Sequence, residues 1–161
     1  MAQSRGDEGR GGVATQPFAW RPVGRDSSNG SESTQSGKQV VTLDFADRKV
    51  LIVEDDIFIA LDLERVMEDA GCRVIGPASS VERALAKITD NHIDAALLDV
   101  NLGPELVFPV ADRLSAEGVP FIFVTGEPRT VPERHWTRPV ISKPYQVPAL
   151  LEALAAVMRP N

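Results

Sequence analysis

Five short apolar runs alternate with stripes of helical period between Arg48 and Met158, and no hairpin turn signal joins any two of them. That alternation constrains the fold more than any other feature. Strands connected through helices run parallel, and their right-handed crossovers lay the helices on the sheet. The first run, Lys49-Val50-Leu51-Ile52-Val53, is long enough for a buried strand and too short for a helix. Ile59, Leu63, Val66, Met67 and Ala70 then form one stripe of period 3.6, closed by Gly71 where a glycine commonly ends a helix. Arg73-Val74-Ile75 is a second strand followed by Gly76-Pro77, and Ser79 with Glu82 reads as a capping box. The helix it opens turns Val81, Ala84, Leu85 and Ile88 inward. Ala95-Ala96-Leu97-Leu98 is a third strand, and a helix from Leu106 to Glu117 holds Pro109 in its first turn and ends at Gly118. Phe121-Ile122-Phe123-Val124 and Val140-Ile141-Ser142 are the fourth and fifth strands. Pro148 starts a last helix carrying Leu150, Leu151, Leu154, Val157 and Met158.

Before this regular part, residues 1–38 are rich in Gly, Ser, Gln and Asn, and their apolar residues are too sparse to offset the entropy of ordering. The expectation is a flexible N-terminal extension over residues 1–47. Pro17-Phe18-Ala19-Trp20-Arg21-Pro22 interrupts it, as a short docking peptide or as an incidental aromatic pair. Val41, Leu43 and Phe45 alternate with polar residues, which suggests a lead-in edge strand.

Composition excludes several function classes. With 161 residues the chain suits one domain and a tail. A net charge of −6 repels phosphate backbones and anionic headgroups, so neither nucleic acid nor membrane is an expected partner. The one cysteine, Cys72, allows no internal disulfide or Cys-x-x-Cys metal site, reads as a small buried filler, and points to a reducing compartment. No apolar run approaches the ~18 residues of a membrane span, and no secretory h-region follows the early acids Asp7 and Glu8. A cytoplasmic protein is expected.

The chemistry-bearing residues lie just past the strands. Glu54, Asp55 and Asp56 follow the first, Asp99 the third and Thr125 the fourth, while Lys143 comes two residues after Ile141. In an open parallel sheet the carboxyl ends of the strands share one edge, where ligands bind. Two carboxylates ~4 Å apart repel by roughly 4 kcal/mol at an effective dielectric of 20, so such a cluster calls for a cation or raised pKa values. Hard oxygen donors without His or Cys suit Mg²⁺. An ammonium and a hydroxyl beside them complete a site for a phosphoryl group, and aspartate is a competent nucleophile for phosphoryl capture. The residues therefore read as Mg²⁺-dependent phosphoryl transfer onto a carboxylate. His92 reads as an ordinary loop histidine.

The strings Val50-Leu51-Ile52-Val53-Glu54-Asp55-Asp56, Ala96-Leu97-Leu98-Asp99-Val100-Asn101-Leu102, Phe123-Val124-Thr125-Gly126 and Ser142-Lys143-Pro144-Tyr145 resemble the CheY-like receiver domain of two-component response regulators. The resemblance covers about Arg48 to Met158 and assigns residues 48–161 to a receiver domain. It implies an α/β flavodoxin-like (βα)5 doubly wound fold, with a five-stranded parallel sheet of strand order 2-1-3-4-5. It further implies that Asp99 accepts phosphate from a histidine kinase or phosphotransfer protein, assisted by Thr125 and Lys143. Asp55 would bind Mg²⁺ directly and Glu54 through water; Asp99 and the backbone carbonyl of Asn101 complete the set, leaving Asp56 outside. A cis peptide between Lys143 and Pro144 also follows from the resemblance.

Two departures stand out. Val140 occupies the place of the aromatic that usually couples to the Ser/Thr, and residues 127–139 carry Pro128, Pro132 and Pro139, so the fourth helix should be short, displaced or mobile. Both are similar to the FAT-GUY subgroup of stand-alone receivers, whose partners are kinases of the HWE or related type. Val140, Gly126, Arg129, Trp136 and Tyr145 are the expected switch and partner surface. The run Arg129, Arg134, His135, Trp136, Arg138 reads as a solvated loop or as part of that surface.

The expected function is a single-domain response regulator without an attached effector, a monomer or weak dimer. It would act by protein contact or as a phosphate sink and would not be an enzyme beyond slow self-phosphorylation and self-dephosphorylation. A haloacid-dehalogenase-like phosphatase is one rival, although that family places its Asp-x-Asp after the first strand. An unphosphorylated adaptor is the other.

Overall fold

The computed structural model describes residues 44–159, so the Phe18–Trp20 island, Val41 and Leu43 lie outside the described residues. In chain order the elements are β1 (Lys49–Val53), α1 (Ile57–Asp69), β2 (Arg73–Ala78), α2 (Val81–Asp90), β3 (Ala95–Leu98), β4 (Asn101–Leu102), β5 (Glu105–Leu106), α3 (Phe108–Ala116), β6 (Phe121–Thr125), β7 (Val140–Ser142) and α4 (Val147–Met158). Five strands form a parallel sheet in the order β2-β1-β3-β6-β7, and β4 pairs antiparallel with β5 in a separate ribbon. With the ribbon set aside, this is the expected 2-1-3-4-5 order of a flavodoxin-like fold.

The strand pleat sorts the apolar runs into two layers. Leu51, Val53, Ala96, Leu98, Phe121 and Phe123 pack with residues of α2 and α3. Their neighbours Val50, Ile52, Ala95, Leu97, Ile122 and Val124 pack with residues of α1 and α4. Side chains alternate faces along a strand, so a continuous apolar run can supply both layers only when helices cover both sides. Each fully buried Leu, Ile or Phe contributes about 1.5–3 kcal/mol. Cys72 belongs to the α1–α4 layer, and burial pushes its thiol up to about 11.

Several boundaries differ from expectation. Phe45 is buried, but it lies in a turn-forming lead-in rather than a strand; the Asp47 N–H donates to the Gly71 carbonyl 3.1 Å away. The α2 cap is Ser80, not Ser79: its Oγ accepts from the Arg83 N–H at 3.3 Å. The inward face of α2 is as expected, with Ala84 and Ile88 buried and Val81 and Leu85 packed against the same layer. Leu106 falls in the exposed strand β5 of the ribbon, and α3 starts at Phe108. Between β6 and β7 the three prolines leave two 3-10 turns, Pro128–Thr130 and Glu133–His135.

β2 runs through Gly76-Pro77 to Ala78, with a register shift against β1 between Leu51 and Val53. Gly76 has φ +116°, and a Cβ there would lie 2.8 Å from the Ile52 carbonyl oxygen. Gly76→Ala is therefore expected to lower stability by about 2–4 kcal/mol, through the left-handed backbone and the collision with β1, measured by urea unfolding.

The short turns after β6 are held by His135. It is 3% exposed, and its ring centroid lies 5.8 Å from that of Phe121, 5.9 Å from Phe123 and 6.3 Å from Phe108. Its Nε2 lies 2.9 Å from Asp112 Oδ1 on α3, and Arg134 binds the same carboxylate through Nε at 2.8 Å and a second nitrogen at 3.1 Å. The hydrogen bonds from Arg134 hold the Asp112 carboxyl below its ordinary range. Arg138 lies 4.6 Å from the Phe121 ring centroid. A run that reads as a solvated loop is thus partly core. His135→Ala should cost about 3 kcal/mol, because it opens a void among three rings and strips one partner from Asp112; thermal melting checks this.

Candidate functional site

The carboxyl edge of the sheet gathers residues from four strands. The Glu54 N–H donates to the Ala78 carbonyl at 3.0 Å and the Asp99 N–H to the Val53 carbonyl at 2.9 Å, so ladder bonds fix both acids where their strands end. The Lys143 N–H donates to the Thr125 carbonyl at 2.9 Å, which anchors the lysine to β6 in the same way. From there its Nζ lies 2.6 Å from Glu54 Oε2 and 2.9 Å from Asp99 Oδ2. The peptide between Lys143 and Pro144 is cis, as expected.

Glu54 is 2% exposed and Asp99 9%. The other oxygen of Glu54 accepts from the Asp56 N–H at 3.1 Å, and that of Asp99 from the Asn101 N–H at 3.4 Å. Burial lifts the Glu54 carboxyl above its ordinary value, outweighing the hydrogen bond from Lys143 that pulls it down. Burial pulls the Lys143 ammonium down, but its hydrogen bonds to Glu54 and Asp99 and the charge of both leave it above its ordinary value. Buried carboxylates and a partly buried ammonium are each costly alone; together they are mutually stabilising.

Asp55, in contrast, is exposed. Its carboxylate joins those of Glu54 and Asp99 in a cluster whose oxygens lie within 4.8 Å of one another. Three carboxylates against one ammonium leave a formal charge of −2, and every donor is a hard oxygen. That donor set fits a divalent cation of the Mg²⁺ type. Asn101 opens β4 immediately beyond this cluster, and a Cβ on Gly103 at the ribbon turn would sit 3.7 Å from Asp55 Oδ2.

Thr125 is fully buried at the end of β6. Its Oγ1 accepts from the Glu127 N–H at 3.1 Å, which leaves the hydroxyl proton free to donate. Asp56 lies outside the cluster as the N-cap of α1, accepting from the Phe58 and Ile59 N–H groups. An Asp directly before an apolar helical stripe is a readable cap signal. Of the expected switch and partner surface, Gly126 and Arg129 are exposed, and Trp136 is exposed with its indole N–H bonded to the Val131 carbonyl. Val140 is half-buried against the α2–α3 layer. Tyr145 is half-buried, and its hydroxyl donates to Asp62 on α1 at 2.6 Å. Nothing in the sequence pairs those last two residues, 83 positions apart.

A doubly wound parallel sheet with an acidic notch and a lysine at its carboxyl edge defines a flavodoxin-like domain of the receiver type. The response regulator receiver domain family model matches residues 50–155, and the chain belongs to that family. Receiver domains are in general regulators rather than enzymes, and in general bind Mg²⁺ at an acidic pocket. The phyllosphere-induced regulator PhyR of Methylorubrum extorquens is 36% identical over 115 residues, 66% of this chain and 41% of PhyR. The chain thus spans about two fifths of that curated relative. The solution structure of SdrG from Sphingomonas melonis Fr1 is 41% identical, covering 70% of this chain and 98% of SdrG with a TM-score of 0.64. The BeF3-activated conformation of SdrG from Pseudomonas melonis Fr1 is 42% identical, covering 71% of this chain and 98% of SdrG, with a TM-score of 0.60. Among the described residues no helix is long and apolar enough to cross a membrane.

Proposed function

We propose that residues 48–161 act as the phosphoacceptor of a two-component relay, with Asp99 taking the phosphoryl group from a histidine kinase or phosphotransfer protein. The observation that carries this reading is the contact of Lys143 Nζ with Asp99 Oδ2 at the carboxyl edge, beside Glu54 and Asp55. A carboxylate oxygen of Asp99 attacks phosphorus, the bond from phosphorus to the donor's nitrogen breaks, and the electron pair leaves with the donor. The Lys143 ammonium, already against both buried acids, takes up the charge of the arriving oxygens. The Thr125 hydroxyl donates to one of them while its own oxygen stays held by the Glu127 N–H. Glu54, Asp55, Asp99 and the Asn101 carbonyl are the groups that would hold Mg²⁺, Asp55 directly and Glu54 through water. When bound, the ion supplies charge neutralisation between carboxylates and phosphoryl oxygens.

Signalling then works by contact with another protein, or by draining phosphate from a shared kinase. The surface proposed for contact is Gly126, Arg129, Trp136, Val140 and Tyr145, and the proposed donor is a kinase of the HWE type. A cytoplasmic location follows from that donor. Incubation with acetyl phosphate and Mg²⁺, followed by intact-mass measurement, tests the reading. A single phosphoryl adduct is expected. Turnover of donor without an adduct would point to a phosphatase, and no reaction to an adaptor.

A further inference from the structure

We propose that Tyr145, tethered by Asp62, is a positioning residue that sets where the Lys143 ammonium stands between Glu54 and Asp99. The proposal rests on the reading of Asp99 as phosphoacceptor. Lys143 and Tyr145 share the short irregular segment that joins β7 to α4. At its start the backbone is held by the Lys143 N–H on the Thr125 carbonyl. Among the described residues, the one side-chain hydrogen bond that Pro144–Gln146 make to another element is that of the Tyr145 hydroxyl to Asp62, at 2.6 Å. The segment is therefore clamped at two points on either side of the lysine stem, one on β6 and one on α1.

Asp62 is exposed, is not needed to cap α1 because Asp56 does so, and adds a further negative charge to an acidic neighbourhood. Packing does not call for a polar side chain there, whereas the half-buried Tyr145 hydroxyl needs an oxygen acceptor within reach. The Tyr145 ring packs on the α1–α4 layer, so the hydroxyl acts through a rigid body rather than a floppy stem. Its loss removes the polar tie to α1 and leaves the segment held by the packing of the ring alone, with more room to shift. The Lys143 Nζ must meet two carboxylates at 2.6 and 2.9 Å, and a displacement of under an ångström spoils both contacts.

Four variants test this: Tyr145→Phe, Asp62→Ala, the double variant, and Asp62→Asn, whose amide oxygen still accepts from the phenol. Phosphorylation by acetyl phosphate with Mg²⁺ is resolved into a saturating rate and a half-saturation concentration. The ¹³Cζ resonance of the sole tyrosine is followed on adding beryllofluoride. Tyr145→Phe and Asp62→Ala are expected to lower the saturating rate about tenfold, with half-saturation unchanged. The double variant should be no slower than either single one, and Asp62→Asn should restore most of the rate. In the wild type and Asp62→Asn the tyrosine resonance should move on beryllofluoride binding, and in Asp62→Ala it should not. Wild-type rates in Tyr145→Phe and Asp62→Ala would overturn the proposal, as would losses in rate that track melting temperature in every variant, Asp62→Asn included. Failure of the wild type itself to form an adduct would instead remove the phosphoacceptor reading, and this proposal with it.

Discussion

Asp99→Asn should take up no phosphoryl group from acetyl phosphate, at least about 100-fold less than the wild type at equal time, because an amide oxygen is a far poorer nucleophile than a carboxylate. The variant should also melt no lower than the wild type. Asp99 lies among carboxylates whose oxygens are within 4.8 Å of one another, and its charge is one of the causes that raise the Glu54 pKa. Neutralising it removes the repulsion from both Glu54 and Asp55, about 3.5 kcal/mol each at 4.8 Å and an effective dielectric of 20, against about 6 kcal/mol of attraction to Lys143 lost at 2.9 Å. Intact-mass and thermal measurements on the same preparation separate a chemical defect from a folding one. An adduct persisting in Asp99→Asn would move the acceptor to another residue.

Lys143→Ala should instead destabilise the protein by about 2–4 kcal/mol without divalent cations, because it leaves buried carboxylates facing each other with no counter-ion. Among the described residues Lys143 is the one cation in contact with Glu54 and Asp99, whose side chains are 1% and 10% exposed. The deficit has a defined pH dependence. Burial already raises Glu54, and loss of Lys143 raises it further. A carboxyl whose folded pKa exceeds its unfolded value of about 4.3 favours the folded state as it protonates. The deficit should thus be full above the folded pKa and narrow as pH falls towards the unfolded one. Mg²⁺ at millimolar concentration should recover much of the loss at neutral pH by mass action on the acidic cluster. Urea unfolding at two pH values, with and without Mg²⁺, reads all of this. Equal loss at both pH values and no response to Mg²⁺ would show that packing, not charge, is what the lysine contributes.

The apolar runs and stripes made the sheet and its helices legible because burial on both faces leaves no polar position in a strand such as 95–98. The edge residues were legible for a related reason: where a parallel strand ends, its next residues meet the shared crevice whatever the loops do. The ribbon was not legible. Asn101-Leu102 and Glu105-Leu106 are pairs too short to carry a periodic signal, and only their mutual hydrogen bonding makes them strands. The choice of Ser80 over Ser79 likewise depended on the backbone angles at the helix start. His135 was misread because a polar residue in a proline-rich, basic run gives no sign that three phenylalanines from α3 and β6 converge on it.

From the sequence alone came the order of elements, the parallel sheet, and the arrival of Glu54, Asp55, Asp99, Thr125 and Lys143 at one edge, because hydrophobic period and strand direction are local properties. Tertiary structure alone decided which oxygen Lys143 bonds, that Asp55 stays exposed while Glu54 is buried, and that Tyr145 reaches Asp62 and His135 reaches Asp112. Those are distances of a few ångströms between residues tens of positions apart. They are fixed by how the layers pack, and no periodicity in the chain encodes them.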